Sequence, residues 1–504
     1  MIRHFALGYL LAVGFALPVQ AQDRPVPTVA QIEAAFAAGD LAAARAGLAQ
    51  RVTGDPSLLT QFRYGRMLVE GMGGPADAAE GMAWLQRAAD AGHLPARTLM
   101  ARVLLTQGPS RDPEQAVRWL RDAAARGDLE AKFLLSLQLL AGDGVARDPQ
   151  TAFVWMRAAA QEGYAQAMPL LSRFHADGTG TPADPAAARM WLERAAEAGV
   201  PDALFAVATA QQQQGAAAQD FAALYTRAAE AGHVPSQRAL GTLLMTGAPG
   251  LERDGEQAEL WLSRAASAGD VPAMHNLGLG YLAGDVLAQD ASAAADLFER
   301  ASDAGLARST FMLGRMVASG KGRPADPVKA QRILALAAEQ GSEPAAQHLG
   351  QQVLNDTLAT PVAPHVAVPW VMALVRAGDA PQARDWIGAQ ADAGVRPAQA
   401  ALGAWLLGSS AGDRARALLT AAGTAGHVPS QFRLGRALAT GVGMPVDYVA
   451  AHTWLNIAAG SGHAEAAQVR DTITALMTPD QIAAAQDAAR AYFEAPPPVP
   501  QVQE

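Results

Sequence analysis

In this 504-residue chain, the side chains best placed to do chemistry are arginines recurring at one position of a repeated pattern. Arg66, Arg102, Arg173, Arg315 and Arg436 each follow a small residue, Gly, Ala or Ser. The phrase Gln-Phe-Arg-x-Gly-Arg occurs twice and adds Arg63 and Arg433, each three residues ahead of the next arginine. On a helix, a spacing of three puts both guanidinium groups on one face. A guanidinium is a planar fork of donors matched to a carboxylate, so a stack of them suits an acidic peptide or an acidic sugar. Such arginines either contact a partner or pair with Asp and Glu of neighbouring repeats. His275 and Asn276, on the same kind of helix, are a further candidate ligand contact.

Catalytic chemistry finds less support. Neither His-Glu-x-x-His nor Gly-x-Ser-x-Gly occurs. Cysteine is absent, which removes thiolate metal sites, disulfides and a cysteine nucleophile together. A serine nucleophile needs a neighbouring base, and no Ser/Lys or Ser/His spacing suggests one. Ser319-Gly320-Lys321-Gly322 lacks the first glycine, the final Ser or Thr and the preceding strand of a phosphate loop, and reads as a loop between helices. His93, His233, His427 and His463 recur just after closing glycines. Equivalent positions of a stacked array lie a helix-pair width apart, so these histidines read as turn residues rather than converging metal ligands. No catalytic, cofactor-binding or metal-binding residue is assigned.

The arginines are positioned by a repeat whose core phrase is Trp-Leu-x-x-Ala-Ala-x-x-Gly. It reads WLQRAADAG from Trp84, WLRDAAARG from Trp119, WLERAAEAG from Trp191 and WLSRAASAG from Trp261, with variants from Trp155, Leu224, Leu297, Ile333, Trp386, Leu418 and Trp454. Most closing glycines, from Gly92 to Gly462, are about 36 residues apart, the length of one helical hairpin with its turns. Ala, Leu and Arg favour helix, and the glycine stops it. A proline three residues on (Pro95, Pro235, Pro272, Pro429) presets the first turn of the next helix, here helix A. Helix A ends at another glycine, often doubled as in Gly142/Gly144 and Gly320/Gly322. Asp before Pro (Asp112-Pro113, Asp148-Pro149, Asp184-Pro185, Asp326-Pro327) then caps helix B. Small residues five apart on helix A, such as Ala273/Gly278 and Ser430/Gly435, admit close neighbours. Seven of nine tryptophans share one helix-B position and are read as core filling.

This unit resembles the Sel-one-like repeat, a relative of the tetratricopeptide repeat with a longer loop between helices A and B. The match is nearly complete from Ser430 to Gly462, and the segment from Tyr448 to about Phe493 is similar to the terminal segment of bacterial members. The resemblance covers roughly Leu58 to Phe493. It implies an all-α, right-handed solenoid of about eleven to twelve stacked hairpins, with helix A lining a concave superhelical groove. Two regions depart from the pattern. Residues 29–52 read as a tighter hairpin turning at Gly39-Asp40. Between Gly341 and Gly394 the period fails; residues 357–369, with Pro361, Pro364 and Pro369, show no helical pattern, and a second hairpin turns at Gly378-Asp379. A break there is expected to kink the superhelix or divide it into two arms. The expected organisation is a signal peptide (1–21), an N-terminal hairpin cap (22–56), a first array (57–356), an irregular linker with a hairpin (357–394), further repeats with a terminal helix (395–494) and a disordered Pro-rich tail (495–504).

Composition agrees with thin stacked layers: half the residues are hydrophobic, mostly short, and only 6% are aromatic. A formal net charge of −9 disfavours nucleic-acid binding, which needs a basic field. At the N-terminus, Arg3 and His4 precede an apolar run from Phe5 to Leu17 and the small-residue site Val19-Gln20-Ala21. This is a signal-peptide pattern with cleavage expected after Ala21, so a periplasmic or secreted location is expected. The run is too short to span a hydrocarbon core of ~30 Å, no other segment is apolar for ~18 residues, and no lipid-anchor cysteine follows, so no stable membrane anchor is expected. Similarity to secreted bacterial members implies a non-enzymatic scaffold or adaptor. It would bind protein partners of the cell envelope, in signalling or exopolysaccharide regulation. The alternative is a binder of peptidoglycan or acidic polysaccharide whose arginines contact uronates. A β-lactamase-like hydrolase fits less well, because that branch of relatives relies on disulfides within each repeat.

Overall fold

The computed structural model describes residues 26–54, 57–106, 108, 111–378 and 380–494. The expected leader (1–21) and tail (495–504) lie outside the described residues. The described residues form 27 α-helices and no β-strand, in two compact units that meet in sequence at Gln213 and Gln214. The first unit holds α1 (Val29–Ala37), α2 (Leu41–Val52), α3 (Leu58–Glu70), α4 (Ala78–Asp90), α5 (Leu94–Leu105), α6 (Pro113–Ala125), α7 (Leu129–Ala141), α8 (Pro149–Gln161), α9 (Ala167–Asp177), α10 (Pro185–Glu197) and α11 (Pro201–Gln213). The second begins with α12 (Ala218–Glu230), α13 (Val234–Thr246), α14 (Gly255–Ser267), α15 (Val271–Ala283), α16 (Ala291–Asp303), α17 (Ala307–Ser319), α18 (Pro327–Glu339) and α19 (Glu343–Leu354). It continues with α20 (Pro364–Ala377), α21 (Pro381–Asp392), α22 (Arg396–Leu406), α23 (Gly412–Thr424), α24 (Val428–Thr440), α25 (Tyr448–Gly460), α26 (Ala466–Thr474) and α27 (Pro479–Glu494). Helices adjacent in sequence pack on each other within each unit, apart from α26 and α27, which both pack on α25, so each unit is a solenoid of stacked hairpins. The A helices are the odd-numbered ones from α3 to α19, then α22 and α24.

In many of the hairpins the helices open on side-chain caps, although α3, α9, α12, α17, α22, α23 and α24 have none. For helix B the cap is Asp: Asp112, Asp148 and Asp326 accept from the amides of Gln115, Thr151 and Lys329 at 2.9, 3.0 and 2.9 Å. For several A helices the residue after the closing glycine does the same work. Asp128 and Asp270 accept from Ala131 and Ala273 at 2.7 Å, and in two copies a histidine ring takes their place. His93 Nδ1 accepts from the Ala96 amide at 3.2 Å, and His233 Nδ1 from the Ser236 amide at 3.3 Å. Each cap satisfies an amide that the first helical turn leaves without an intrahelical acceptor.

The layer between A and B is filled differently from the sequence expectation. Trp191 and Trp261 are buried, but the other helix-B tryptophans are only half-buried. Outside the Trp191 copy, the residue following that position is the deeper one: Leu85, Leu120, Met156, Leu262, Phe298 and Leu334 are fully buried. Each needs a hollow on helix A. A Cβ placed on Gly241, Gly314 or Gly435 would lie 2.8 Å from Leu262, Leu334 or Leu455, inside contact distance. In two copies the small residue is serine, and its hydroxyl donates to a helix-B carbonyl, Ser136 to Ala152 at 2.7 Å and Ser172 to Ala188 at 2.6 Å. The doubled loop glycines join neighbouring repeats. Gly144, Gly180 and Gly322 have φ of 72°, 69° and 75°, and a Cβ there would sit 2.2, 2.0 and 2.0 Å from the first-turn carbonyls of Pro113, Pro149 and Ala291 in the preceding helix B.

Of the region expected to be irregular, residues 357–363 carry no helix, but from Pro364 onward the expectation is corrected by the structure. Helix α20 starts with Pro364 in its first turn and runs straight through Pro369. A proline inside a helix costs about 3 kcal/mol. Against that, α20 buries Val368, Trp370, Val371, Met372 and Val375 among other residues, and each such large apolar side chain contributes roughly 1.5–3 kcal/mol. Burial wins. Helices α19, α20 and α21 form a three-helix step in which α20 packs on α19, α21 and α22. The loop before α20 is pinned: Gln331 donates to the Thr360 carbonyl at 2.8 Å, and its side-chain oxygen accepts from the Thr360 amide at 2.9 Å. Apolar cores run through this step. The division between units therefore falls at Gln213/Gln214 and not within 357–369.

Candidate functional site

Within each unit successive A helices adjoin, α3 with α5 in the first, α13 with α15 and α22 with α24 in the second. Their outward faces form one surface per unit. The small residue of each A helix faces helix B, and the next residue, about 100° further round the helix, turns toward solvent. That geometry puts the recurrent arginines on the A surface.

In the first unit the arginines are neutralised from within the chain. Arg63 pairs with Glu33, and its guanidinium sits 5.9 Å from the Phe36 ring centroid. Arg66 bonds Glu70 one turn on at 2.9 Å. Arg102 lies between Glu130, at 3.3 Å, and Glu70, at 3.7 Å. Arg173 reaches Asp177 at 3.3 Å while remaining 76% exposed. Exposed pairs of this kind contribute at most about 1 kcal/mol each. A cavity of about 370 Å³ lined by Phe36, Phe62, Arg63 and Arg66 also contains Glu33, which answers Arg63, while Arg66 is answered by Glu70 outside the lining.

The second unit differs. Arg315, Arg433 and Arg436 have no ion-pair partner among the described residues. Arg315 and Arg436 rest over the rings of Phe311 and Phe432, four residues earlier on the same helix, at 5.8 and 5.6 Å. Arg433 and Arg436 border a pocket of about 390 Å³ between α22 and α24, with Leu407, Ala437 and the 55%-exposed Val442 as its apolar part. Arg315 borders a separate cavity that also holds Lys321 and His348. The sequence pattern marks Lys321 only as a loop residue and does not single out His348. A signal existed: His348 stands two residues before Gly350, the register that Arg63 holds before Gly65 and Arg433 before Gly435.

His275 and Asn276 are drawn into packing between repeats. His275 is buried, its Nδ1 sharing a 2.8 Å hydrogen bond with the Ser309 hydroxyl of α17 and its ring lying 5.5 Å from that of Phe298. Burial, helped by the Arg308 charge, pushes its pKa down to about 4. Asn276 donates to the Thr242 hydroxyl of α13 at 2.9 Å. These side chains tie three successive A helices together instead of facing a ligand. Among the recurrent histidines, His427 Nδ1 meets the Ser430 hydroxyl at 2.8 Å, and the His463 ring stacks on Phe432 at 3.9 Å. The described residues contain no cluster of three or more His, Asp or Glu able to hold a metal ion.

The Sel1 repeat family model matches residues 59–93, 95–128, 129–164, 165–200, 234–270, 271–306, 307–342 and 428–463, more than half of the chain. The unmatched stretch 343–427 contains the three-helix step. No curated protein matches the chain. Among solved structures, a protective antigen of uropathogenic Escherichia coli displaying an SLR fold is similar at 23% identity, with a TM-score of 0.57, covering 89% of this chain and 94% of that one. A Sel1 repeat protein from Oxalobacter formigenes is 22% identical, with a TM-score of 0.32, covering 55% of this chain and 96% of that one. At these identities the first likeness is one of fold.

Proposed function

Since the chain belongs to the Sel1 repeat family, whose repeats typically mediate protein–protein interaction, we propose that it is a non-catalytic scaffold of the cell envelope whose protein partner lies along the A-helix surface of the second unit. The observation that carries this is the Arg433/Arg436 pair, two guanidinium groups without an internal carboxylate at the edge of a pocket that also presents Leu407, Ala437 and Val442. A partner carboxylate would meet both forks, and a hydrogen bond between charged groups contributes about 1.5–3 kcal/mol. The sequence pattern at residues 1–21 supports export to the periplasm or beyond. No described helix is long and apolar enough to cross a membrane. Envelope signalling and exopolysaccharide regulation are the settings this reading favours.

The test is crosslinking in intact cells followed by mass spectrometry, comparing the wild type with Arg433→Ala/Arg436→Ala. A protein captured by the wild type and lost from the double variant supports the proposal. Capture that is unaffected by the variant, or retention on purified peptidoglycan that the variant abolishes, overturns it. Turnover of nitrocefin above background overturns its non-catalytic part.

A further inference from the structure

The Arg315 cavity, of about 310 Å³, is assembled by three successive A helices and one loop. Leu282 comes from α15, Met312, Arg315 and Met316 from α17, Lys321 from the loop after α17, and His348 from α19. No Asp or Glu lines it. Arg315 is steadied by the Phe311 ring and has no ion-pair partner among the described residues. Lys321 Nζ reaches only the Leu282 carbonyl, at a long 3.4 Å. Burial first, and the Arg315 charge second, hold the His348 imidazole below the usual histidine range, so near pH 7 it is a neutral hydrogen-bonding group beside two cations. The cavity thus combines two uncompensated positive charges with a floor of two thioethers and a leucine.

That combination narrows the ligand. A carboxylate answers the cations, and an aliphatic neighbour answers the floor. A sugar ring would need several neutral donors and acceptors for its hydroxyls, and the lining side chains offer two such groups, the His348 imidazole and the Ser319 hydroxyl, the latter already donating to the carbonyls of Arg315 and Met316 at 2.9 and 3.3 Å. We infer that the cavity formed by Arg315, Lys321 and His348 binds the side-chain carboxylate of an acidic peptide segment, with the adjacent apolar side chain of that segment on Met312 and Met316. This rests on the reading of the A surface as a recognition face. It adds a contact point separate from Arg433/Arg436 and names the chemistry that point selects.

The test uses the purified full chain and a fluorescein-labelled peptide of alternating Leu and Glu, blocked at both ends so that only side-chain carboxylates are present. Fluorescence anisotropy gives Kd for the wild type, Arg315→Gln/Lys321→Gln and Arg433→Ala/Arg436→Ala, with circular dichroism confirming that each is folded. The expected result is at least a roughly tenfold weaker Kd for Arg315→Gln/Lys321→Gln. The peptide with Gln in place of Glu should not bind, and affinity should fall between ~0.05 M and ~0.5 M salt as exposed charges are screened. The inference is overturned by an unchanged Kd in Arg315→Gln/Lys321→Gln, by equal binding of the Gln peptide, or by polygalacturonate binding more tightly than the peptide. Loss confined to Arg433→Ala/Arg436→Ala overturns this inference alone and leaves the proposed function standing. Absence of wild-type peptide binding likewise sinks this inference without touching the crosslinking result.

Discussion

A histidine that accepts a hydrogen bond keeps its place only while the accepting ring nitrogen is bare. His93 Nδ1 receives the Ala96 amide, and burial holds the His93 imidazole below its ordinary pKa. His275, with a pKa of about 4, is the stronger case. An unfolded histidine takes up a proton near pH 6.5, whereas folded His275 stays neutral until about pH 4. Between those values the unfolded chain binds the extra proton, so this contribution to stability is complete above pH ~6.5 and is lost as pH falls toward 4. From pH 7 to pH 5 the second unit should lose on the order of 2 kcal/mol from His275 alone. Chemical denaturation at both pH values checks this, and His275→Gln should flatten the difference; an unchanged slope in that variant would remove the assignment. His93→Asp, which copies the cap Asp128 supplies to α7, should keep the α5 cap down to the pH at which a carboxylate takes up its proton, with circular dichroism between pH 7 and pH 5 as the check.

At the scale of the element, the glycines divide into two kinds with different tolerances. Gly127 has φ 97° with open space around its Cβ position, so Gly127→Ala meets backbone strain alone, worth about 1–2 kcal/mol. Gly144 has φ 72°, and its Cβ would also lie 2.2 Å from the Pro113 carbonyl oxygen. Backbone cannot step aside as a side chain can, so Gly144→Ala should destabilise the first unit more than Gly127→Ala does, and part the α7–α8 loop from α6. Comparing urea midpoints of the two variants decides it; equal midpoints would mean the loop yields. The three-helix step has its own pin. Gln331→Ala removes both bonds to Thr360, at about 1 kcal/mol each. Hydrogen exchange at the Thr360 amide should quicken while the amides of α16 keep their protection.

At the scale of the whole molecule, the first unit balances its A-surface arginines and the second leaves three of them open. Arg63, Arg66, Arg102 and Arg173 each have an acidic partner; Arg315, Arg433 and Arg436 do not. Stability and recognition should therefore separate in the second unit. Arg433→Ala/Arg436→Ala, which breaks no ion pair and removes one exposed contact of Arg436 with the Phe432 ring, should stay within about 1 kcal/mol of the wild type on unfolding while losing the crosslinked partner. A large drop in melting temperature would show that these side chains hold the fold instead.

The sequence by itself determined the hairpin, its caps, its stops and the helix face on which the arginines stand. Those features depend on residues within about four positions of one another, such as Asp112 with Gln115 or Gly65 with Arg66, and local geometry is written in local order. Arg66 and Arg173 meet acids four residues on, which the sequence already places, but the pairing of Arg63 and Arg102 was decided only by the tertiary structure. Arg63 finds Glu33 from 30 residues away and Arg102 finds Glu130 from 28, and the repeat pattern leaves the residue types at those distant positions unspecified. The same reason hid the inward role of His275, the gathering of Lys321 and His348 around Arg315, and the helix through Pro369, where burial against neighbouring helices outweighed what proline alone would dictate.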